Sequence, residues 1–435
     1  MTTHTESRLS RGVARRRLVL AGAFSAMAAL TACDFSVTNP GPTEDKFLSD
    51  TLSLAAQVAG VGYTLSDGMN YQVLHSAVAT RELFPTGQSG QFGVEPSNWV
   101  GLLVSEEQGT PWNLLSRARW LSDQSIVRLQ KVLGATASAK HPLMAQALVW
   151  RGFAYRVLGE SMCVSVINKG PSTPARDNLV RAESAFTAAI AVATAANNAS
   201  LTSAAYAGRA QVRVGLGNWA GAVTDAGNVS STFKYQMPYY SNVDEYGYNR
   251  TMWSSTAQSF YKATSAWGTW YASYYDATKD PRVPYITTAL TGAGAFPPVG
   301  KVNWWPQAKY TTQTAGINLA SGREARLIEA EAALRNSDIT TAMAKIDANR
   351  AAVGAPVAPR PASLAEAWTL LKKERGIELW LEGRRIGDIR RWAANNTPGS
   401  LNALEVPGAT SYLTGQSTCF PVSREELNTN PNLKP

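Results

Sequence analysis

Along most of the chain, apolar side chains recur at helical spacing, and polar turns break them into paired segments. Residues 141–158, rich in Leu, Ala, Trp and Tyr, read as one helix ending near Gly159, whose lack of a Cβ suits a C-cap. Asp177 is placed to cap a second helix, with Leu179, Ala182, Phe186, Ile190 and Ala193 on one stripe. A third covers 202–216. Gly217-Asn218-Trp219 then turns the chain into a fourth, whose packing face opens at Ala222. A fifth is predicted from about Arg323 to Arg335. Asn336-Ser337-Asp338 leads into a sixth, with Ile339, Ala342, Met343 and Ile346 inward, closed by Gly354 and Pro356. The last long helix begins at Ser363, with Glu366 three positions on as a capping box and Leu364, Trp368 and Leu371 on one face.

A turn, an aromatic or Ile, and Ala three positions later occur twice, at Trp219 to Ala222 and at Ile339 to Ala342. Small Ala there lets paired helices approach, as in degenerate tetratricopeptide units, although the spacing between units is irregular. The predicted fold class is therefore mostly α. It is a tetratricopeptide-like helical-pair scaffold with an inserted loop-rich, aromatic-rich ligand-binding region.

That insertion, roughly 231–310, holds 19 of the 40 aromatic residues and loses helical periodicity. Turns such as Tyr246-Gly247-Tyr248-Asn249 and Asp280-Pro281-Arg282 predict loops, short strands and short helices. Tyr and Trp offer apolar faces with polar handles, which stack on the C–H faces of sugars while Asn, Asp and Arg read the hydroxyls. On composition, Tyr246, Tyr248, Trp253, Trp267, Trp270, Tyr274 and Tyr275 are the candidate ligand-binding residues; the alternative is that such aromatics only pack a helix-poor region. A second loop-rich stretch, 84–112, adds Phe84, Phe92, Trp99 and Trp112.

Charge changes the picture mainly at the N-terminus. Of the formal +9, residues 1–32 supply +4, leaving +5 on a body with 36 basic and 31 acidic side chains. No dense basic stripe follows, which argues against nucleic-acid binding. Arg15-Arg16-Arg17 precedes the 15-residue apolar run Leu18 to Ala32, too short for a spanning helix but right for a signal segment. It ends Leu30-Thr31-Ala32-Cys33, like a bacterial lipobox, making Cys33 the candidate for lipidation and residues 1–32 the signal peptide. Two or more acyl chains give stable anchoring where one does not.

If Cys33 is acylated, Cys163 and Cys419 remain. In an exported protein this even pair either bridges or stays as two buried thiols. No metal site with ligand spacing appears and no cofactor is implied. With three His and no HExxH, Walker or GxSxG motif, the chain is expected not to be an enzyme. A surface glycosidase needs only two suitably spaced carboxylates, and stays as the minor catalytic alternative.

On the predicted last helix, Glu374, Glu378 and Glu382 share one face and repel, so cations must lie near. Arg375 with Glu378, Arg385 with Glu382 and Arg384 with Asp388 are the local pairs expected in a structural ion-pair network beside Trp380 and Trp392.

Five stretches in order resemble the SusD/RagB outer-membrane nutrient-binding lipoproteins. They are the lipobox with Thr38-Asn39-Pro40-Gly41-Pro42-Thr43, then Asp280-Pro281-Arg282-Val283, then Lys309-Tyr310 with Arg323-Glu324-Ala325-Arg326-Leu327-Ile328-Glu329-Ala330-Glu331. Glu374 to Arg385 with Asp388, Arg391 and Trp392 follows, and Phe420-Pro421-Val422 with Asn430-Pro431-Asn432-Leu433 ends the chain. The resemblance implies an outer-membrane lipoprotein, lipid-anchored at the cell surface, that captures an oligosaccharide or a peptide. It would act as the lid of a SusC-like TonB-dependent barrel and deliver the ligand into it. Asp34 after the cysteine departs from the simplest surface-export pattern. The other reading is a tetratricopeptide lipoprotein that scaffolds envelope assembly. The expected divisions are 1–32 signal, 33–230 N-terminal helical part, 231–320 aromatic region, 321–400 C-terminal helical part and 401–435 tail.

Overall fold

The protein is described from a computed structural model, which covers residues 48–87, 94–241, 247–256, 262–296 and 299–433. The lipobox with Cys33, and also Phe92 and Tyr246, lie outside these residues.

The first helix, α1 (Leu54–Ala79), is buried on all sides from Thr64 onward. A helix enclosed all round must satisfy its polar side chains internally. Gln72 accordingly donates to the Gly383 carbonyl at 2.8 Å, and His75 Nδ1 meets Gln108 Oε1 at 2.9 Å. α2 (Gly109–Ser138) packs along α1, with a kink at Gly134, whose φ is +76°. α3 (Pro142–Ser161) follows, with His141 accepting from the Leu143 amide and Pro142 in the first turn, where its missing N–H costs nothing.

α4 (Arg176–Ala195), α5 (Ala199–Leu216) and α6 (Trp219–Gly227) then stack in sequence on α3. Two predicted caps are corrected here. α3 runs past Gly159 to Ser161, and a Cβ at Gly159 would sit 2.5 Å from Leu179, so this glycine serves the close approach of α3 to α4. The cap of α4 is Ala175, without a side-chain bond, and Asp177 lies in the first turn, where the helix dipole favours a carboxylate.

The two sequence-predicted turns use one device. Gly217 takes φ +79° and the Asn218 side chain accepts from the Gly221 amide; Ser337 takes φ +58° and Asp338 accepts from the Thr341 amide. Each starts a helix, α6 in the first case, and Ala222 and Ala342 behind them are fully buried.

The C-terminal scaffold comprises α9 (Gly322–Arg335), α10 (Ile339–Ala351), α11 (Leu364–Glu378) and α12 (Arg385–Ala394), and the short α13 (Arg424–Thr429) lies in the tail. Ser363 accepts from the Glu366 amide as predicted. The return bond of Glu366 goes to the Ala362 amide instead of Ser363, so the box is displaced by one residue.

Among the described residues, strands are short and occur as three antiparallel pairs. β1 (Phe84–Pro85) pairs with β5 (Thr264–Ser265), β2 (Val164–Val166) with β3 (Ser172–Pro174), and β4 (Lys234–Met237) with β6 (Ile317–Ser321). The β4–β6 pair clamps the two ends of the aromatic segment, with Lys234 opposite Ser321 and Met237 opposite Ile317. Between them lie the short helices α7 (Arg250–Trp253) and α8 (Trp270–Thr278), and bridges Tyr285 to Gln307 and Thr291 to Asn303. Tyr239, Tyr271, Val283 and Tyr310 of this segment bury in the same core as α1, α3 and α5. From Ser49 onward the chain forms one compact unit.

Cys163 and Cys419 are bridged, with Cα atoms 5.0 Å apart. The Cys163 amide donates to the Phe420 carbonyl and the Phe420 amide to the Ser161 carbonyl, so backbone bonds fix the same junction. No helix among the described residues is long and apolar enough to cross a membrane.

Candidate functional site

The aromatic segment is joined to the scaffold by buried charge. α11 ends at Glu378, and the chain turns through Leu381 (φ +58°) and Gly383 (φ +69°), so Glu382 leaves the helical face predicted for it. The carboxylates find distant cations. Arg282 bonds Asp280 at 2.7 Å and Glu374 at 2.6 Å, and Arg350 takes the other Glu374 oxygen. Glu378 accepts from Arg323 at 2.6 Å, and Glu382 accepts from Lys309 at 2.9 Å and Asn318 at 2.7 Å. Arg375 forks onto Asp388, Arg385 onto Glu405, and Arg384 reaches Glu324 and Glu160.

None of the three expected local pairs forms: Arg375 does not reach Glu378, nor Arg385 Glu382, nor Arg384 Asp388. These groups are buried, and a buried ion persists only when well paired, which rewards the fitting partner over the nearest in sequence. Burial would raise Asp280, but the Arg282 guanidinium overcomes it and holds the carboxyl below its ordinary range. Glu382 is pushed up by burial against the opposing pull of Lys309. Asp388, though buried, is held far down by Arg375 and Arg391. Carboxylates saturated in this way brace the fold and are poorly suited to proton transfer.

The candidate aromatics separate by environment. Trp267 packs edge-on to Phe84, whose ring also meets Phe296 and Tyr412, a small satellite core. Trp270 stacks on Tyr274 at 5.1 Å against the main core, and the Tyr274 hydroxyl is taken up by Asp280 and Arg350. From the second loop-rich stretch, Phe84 and Trp112 are core residues and Trp99 meets Phe296. Tyr248 and Trp253 are half-buried, 4.9 Å apart, where the Arg250 guanidinium lies over Tyr248 and Tyr71. Asp67 of α1 faces Arg250; burial raises its carboxyl to about 6 although the arginine pulls the other way.

Tyr275 belongs to another small core, built around buried Tyr285, whose edge reaches the exposed Asp276 and Lys279. Its ring meets Tyr285 edge-on at 5.4 Å, and Tyr285 stacks on half-buried Trp305 at 5.5 Å. The Tyr285 hydroxyl donates to Asp276, which also pairs with Lys279, and the Lys279 ammonium lies over Tyr275. Composition did not single out Tyr285 and Trp305. The signal was alternation: Trp304 is buried, so its neighbour Trp305 points the other way.

Two cavities lie elsewhere. One of about 400 Å³ sits where Arg282 and Lys309 meet Arg323, Glu378 and Glu382. The other, of about 260 Å³, lies among the scaffold helices and is lined by Gln211, Arg176, Arg375, Arg384, Arg390 and Arg391, among others. Neither is lined by the seven predicted aromatics. Among the described residues no group of His, Cys, Asp and Glu is arranged to hold a metal ion.

Helical pairs carrying a clamped aromatic insertion define the class, and comparison finds a family match for its C-terminal part. Residues 307–434, which include the Lys309-Tyr310 and Glu374–Arg385 motifs, match the SusD family model. No curated protein sequence matches. Solved structures share the fold. A SusD superfamily protein from Bacteroides vulgatus is 15% identical, over 88% of this chain and 98% of its own, with a TM-score of 0.62. Surface glycan-binding protein A from Bacteroides uniformis is 12% identical, over 88% and 99%, with a TM-score of 0.60. A SusD-like carbohydrate binding protein from Bacteroides vulgatus is 15% identical, over 80% and 85%, with a TM-score of 0.50. Residues 307–434 thus carry the SusD family pattern, and the chain as a whole shares the fold of these structures.

Proposed function

We propose that the protein is a non-catalytic glycan-binding lipoprotein of the outer membrane surface. It is anchored through Cys33 and passes captured oligosaccharide to a SusC-like TonB-dependent barrel. Its similarity in fold to a surface glycan-binding protein and to a SusD-like carbohydrate binding protein supports the ligand class. The signal segment and lipobox support the anchor, and the motif order supports the barrel partner.

The observation that carries the reading is the group of Tyr275, Tyr285 and Trp305 beside Asp276 and Lys279. Aromatic faces next to an exposed carboxylate and ammonium fit a sugar ring, one surface of which is C–H and the rim hydroxyl. The Lys279–Asp276 pair is exposed and holds its geometry weakly, so a ligand displaces it at little cost. In the Trp270–Tyr274 group, by contrast, the Tyr274 hydroxyl is committed to buried Asp280 and Arg350 rather than to an exposed pair.

Electrophoresis of the mature protein through gels containing a panel of soluble polysaccharides tests the reading. Retardation by at least one glycan is expected, with no new reducing ends on long incubation. Free migration in every gel, together with co-purification of envelope-assembly proteins by the lipidated chain, would favour the scaffold reading instead.

A further inference from the structure

The cavity of about 260 Å³ in the scaffold contains no aromatic lining residue, yet carries five arginines against three carboxylates, Glu160, Glu324 and Asp388. Three of the arginines are matched. Arg375 holds Asp388, Arg384 holds Glu160 and Glu324, and Arg391 holds Asp388 and Glu331. The other two meet no carboxylate among the described residues. Arg176 donates only to the Leu216 carbonyl at 3.3 Å, and Arg390 only to the Met162 carbonyl at 2.7 Å. Burial without a compensating anion draws the Arg390 pKa below its ordinary value.

Two further atoms of the lining are orphaned. Gln211 gives its amide N–H to Leu319 and Glu324, but its Oε1 accepts nothing; Arg375 Nη1 donates to nothing, and both residues are almost fully buried. Leaving such groups unmatched when buried is costly, which favours a ligand that matches them. A cavity with two unneutralised guanidiniums, one orphan donor and one orphan acceptor is complementary to an anion that also carries hydroxyls. Its volume accommodates far more than a single water.

We propose that this cavity is a second binding site, distinct from the aromatic group, for a small hydroxy-carboxylate. The Arg176 and Arg390 forks take the carboxylate, and Gln211 Oε1 accepts from a hydroxyl. Charge-assisted guanidinium–carboxylate bonds are about twice as strong as neutral ones, so the arginines dominate affinity and the hydroxyl adds selectivity.

Titration calorimetry of the mature protein at low ionic strength with glucuronate, glucose and sulfate is the test. Glucuronate is expected to bind one to one and glucose not at all, with sulfate at least tenfold weaker than glucuronate. Arg176 is exposed and Arg390 half-buried, so R176Q and R390Q should fold normally, and each should weaken glucuronate by about tenfold or more. A Trp305→Ala variant should bind it unchanged, which separates this site from the glycan reading. Three results would each overturn the proposal: no heat with glucuronate, undiminished binding in the R176Q/R390Q double variant, or sulfate binding as tight as glucuronate. Capture of an acidic peptide by a protein that ignores glucuronate would do the same, and would make the cavity a protein-docking point.

Discussion

The indole N–H of Trp380 donates to the carbonyl of Glu82 at 3.0 Å across 298 residues, and the Leu381 amide donates to the Glu82 carboxylate at 3.0 Å. The first helical region and the turn after α11 are thereby held by a single residue. Burial raises the Glu82 carboxyl from 4.5 to about 7, against the Leu381 bond and the pull of Arg385 and Lys309. The folded protein therefore keeps this proton to about pH 7, while the unfolded chain releases it near 4.5. Between those values the folded state binds more protons, so this residue subtracts stability as pH rises from about 4.5 to 7. Glu82→Gln keeps the acceptor without the charge. It should gain up to about 3 kcal/mol over the parent between pH 4.5 and 8 in urea unfolding. Parallel stability curves for the two proteins would contradict this.

Arg282 joins Asp280, Glu374 and Glu378, all nearly or fully buried. Removing one partner of such a group strands the others, at a cost of about 3–5 kcal/mol. Arg282→Met should therefore lower the unfolding free energy by that order. Lys279→Met breaks a pair with 66% and 56% of its side chains exposed and should change it by less than about 1 kcal/mol. Equal losses in the two variants would mean that the buried network does not brace the insertion.

Phe186 is pinched between two glycines: a Cβ on Gly208 would lie 2.3 Å from its ring, and one on Gly152 2.5 Å. Gly208→Ala gains about 1 kcal/mol of helix propensity but overpacks the core by about 1–3, so a net loss is expected. Gly60→Ala, inside α1 with nothing within 4 Å, should stabilise by about 0.5–1 kcal/mol. Thermal melts of both variants read the two signs, and a stabilised Gly208→Ala would show that α4 and α5 are not in close contact.

The scaffold was legible where local rules act alone. Asn218 and Asp338 cap their helices through the next turn, and Ala222 and Ala342 pack behind them, so turn, cap and small residue announce themselves in sequence. α1 was not legible. Its Asp67, Asn70, Gln72 and His75 look like surface positions, yet all are buried, Asn70 and Gln72 because partners as distant as Tyr248 and Gly383 satisfy them. The ion pairs failed for the same reason. Sequence spacing proposes Arg385 with Glu382, whereas burial selects Glu405. For the aromatics, composition located the segment but not the facing. Trp267 and Tyr275 are eight residues apart in similar surroundings, and only the tertiary fold sends them into different small cores, the second of which borders Asp276 and Lys279.

Adjacent Trp304 and Trp305 offer a test in which stability and binding separate. Trp304 is 4% exposed, and its replacement by Ala removes a core side chain, at a cost of about 3–5 kcal/mol. Trp305 is half-buried and stacks on Tyr285, with their ring centroids 5.5 Å apart. Trp305→Ala should therefore cost clearly less stability while removing one face of the proposed sugar platform. An aromatic contact of this kind contributes about 1 kcal/mol, or roughly fivefold in affinity. Adding Tyr275→Ala should compound the loss, because the two rings contact Tyr285 from different directions. Melting temperature and glycan affinity, measured on the same preparations, decide the matter. If Trp305→Ala melts near the parent and binds the glycan as tightly, the platform lies elsewhere, and the Tyr248–Trp253 group beside Arg250 becomes the next place to look.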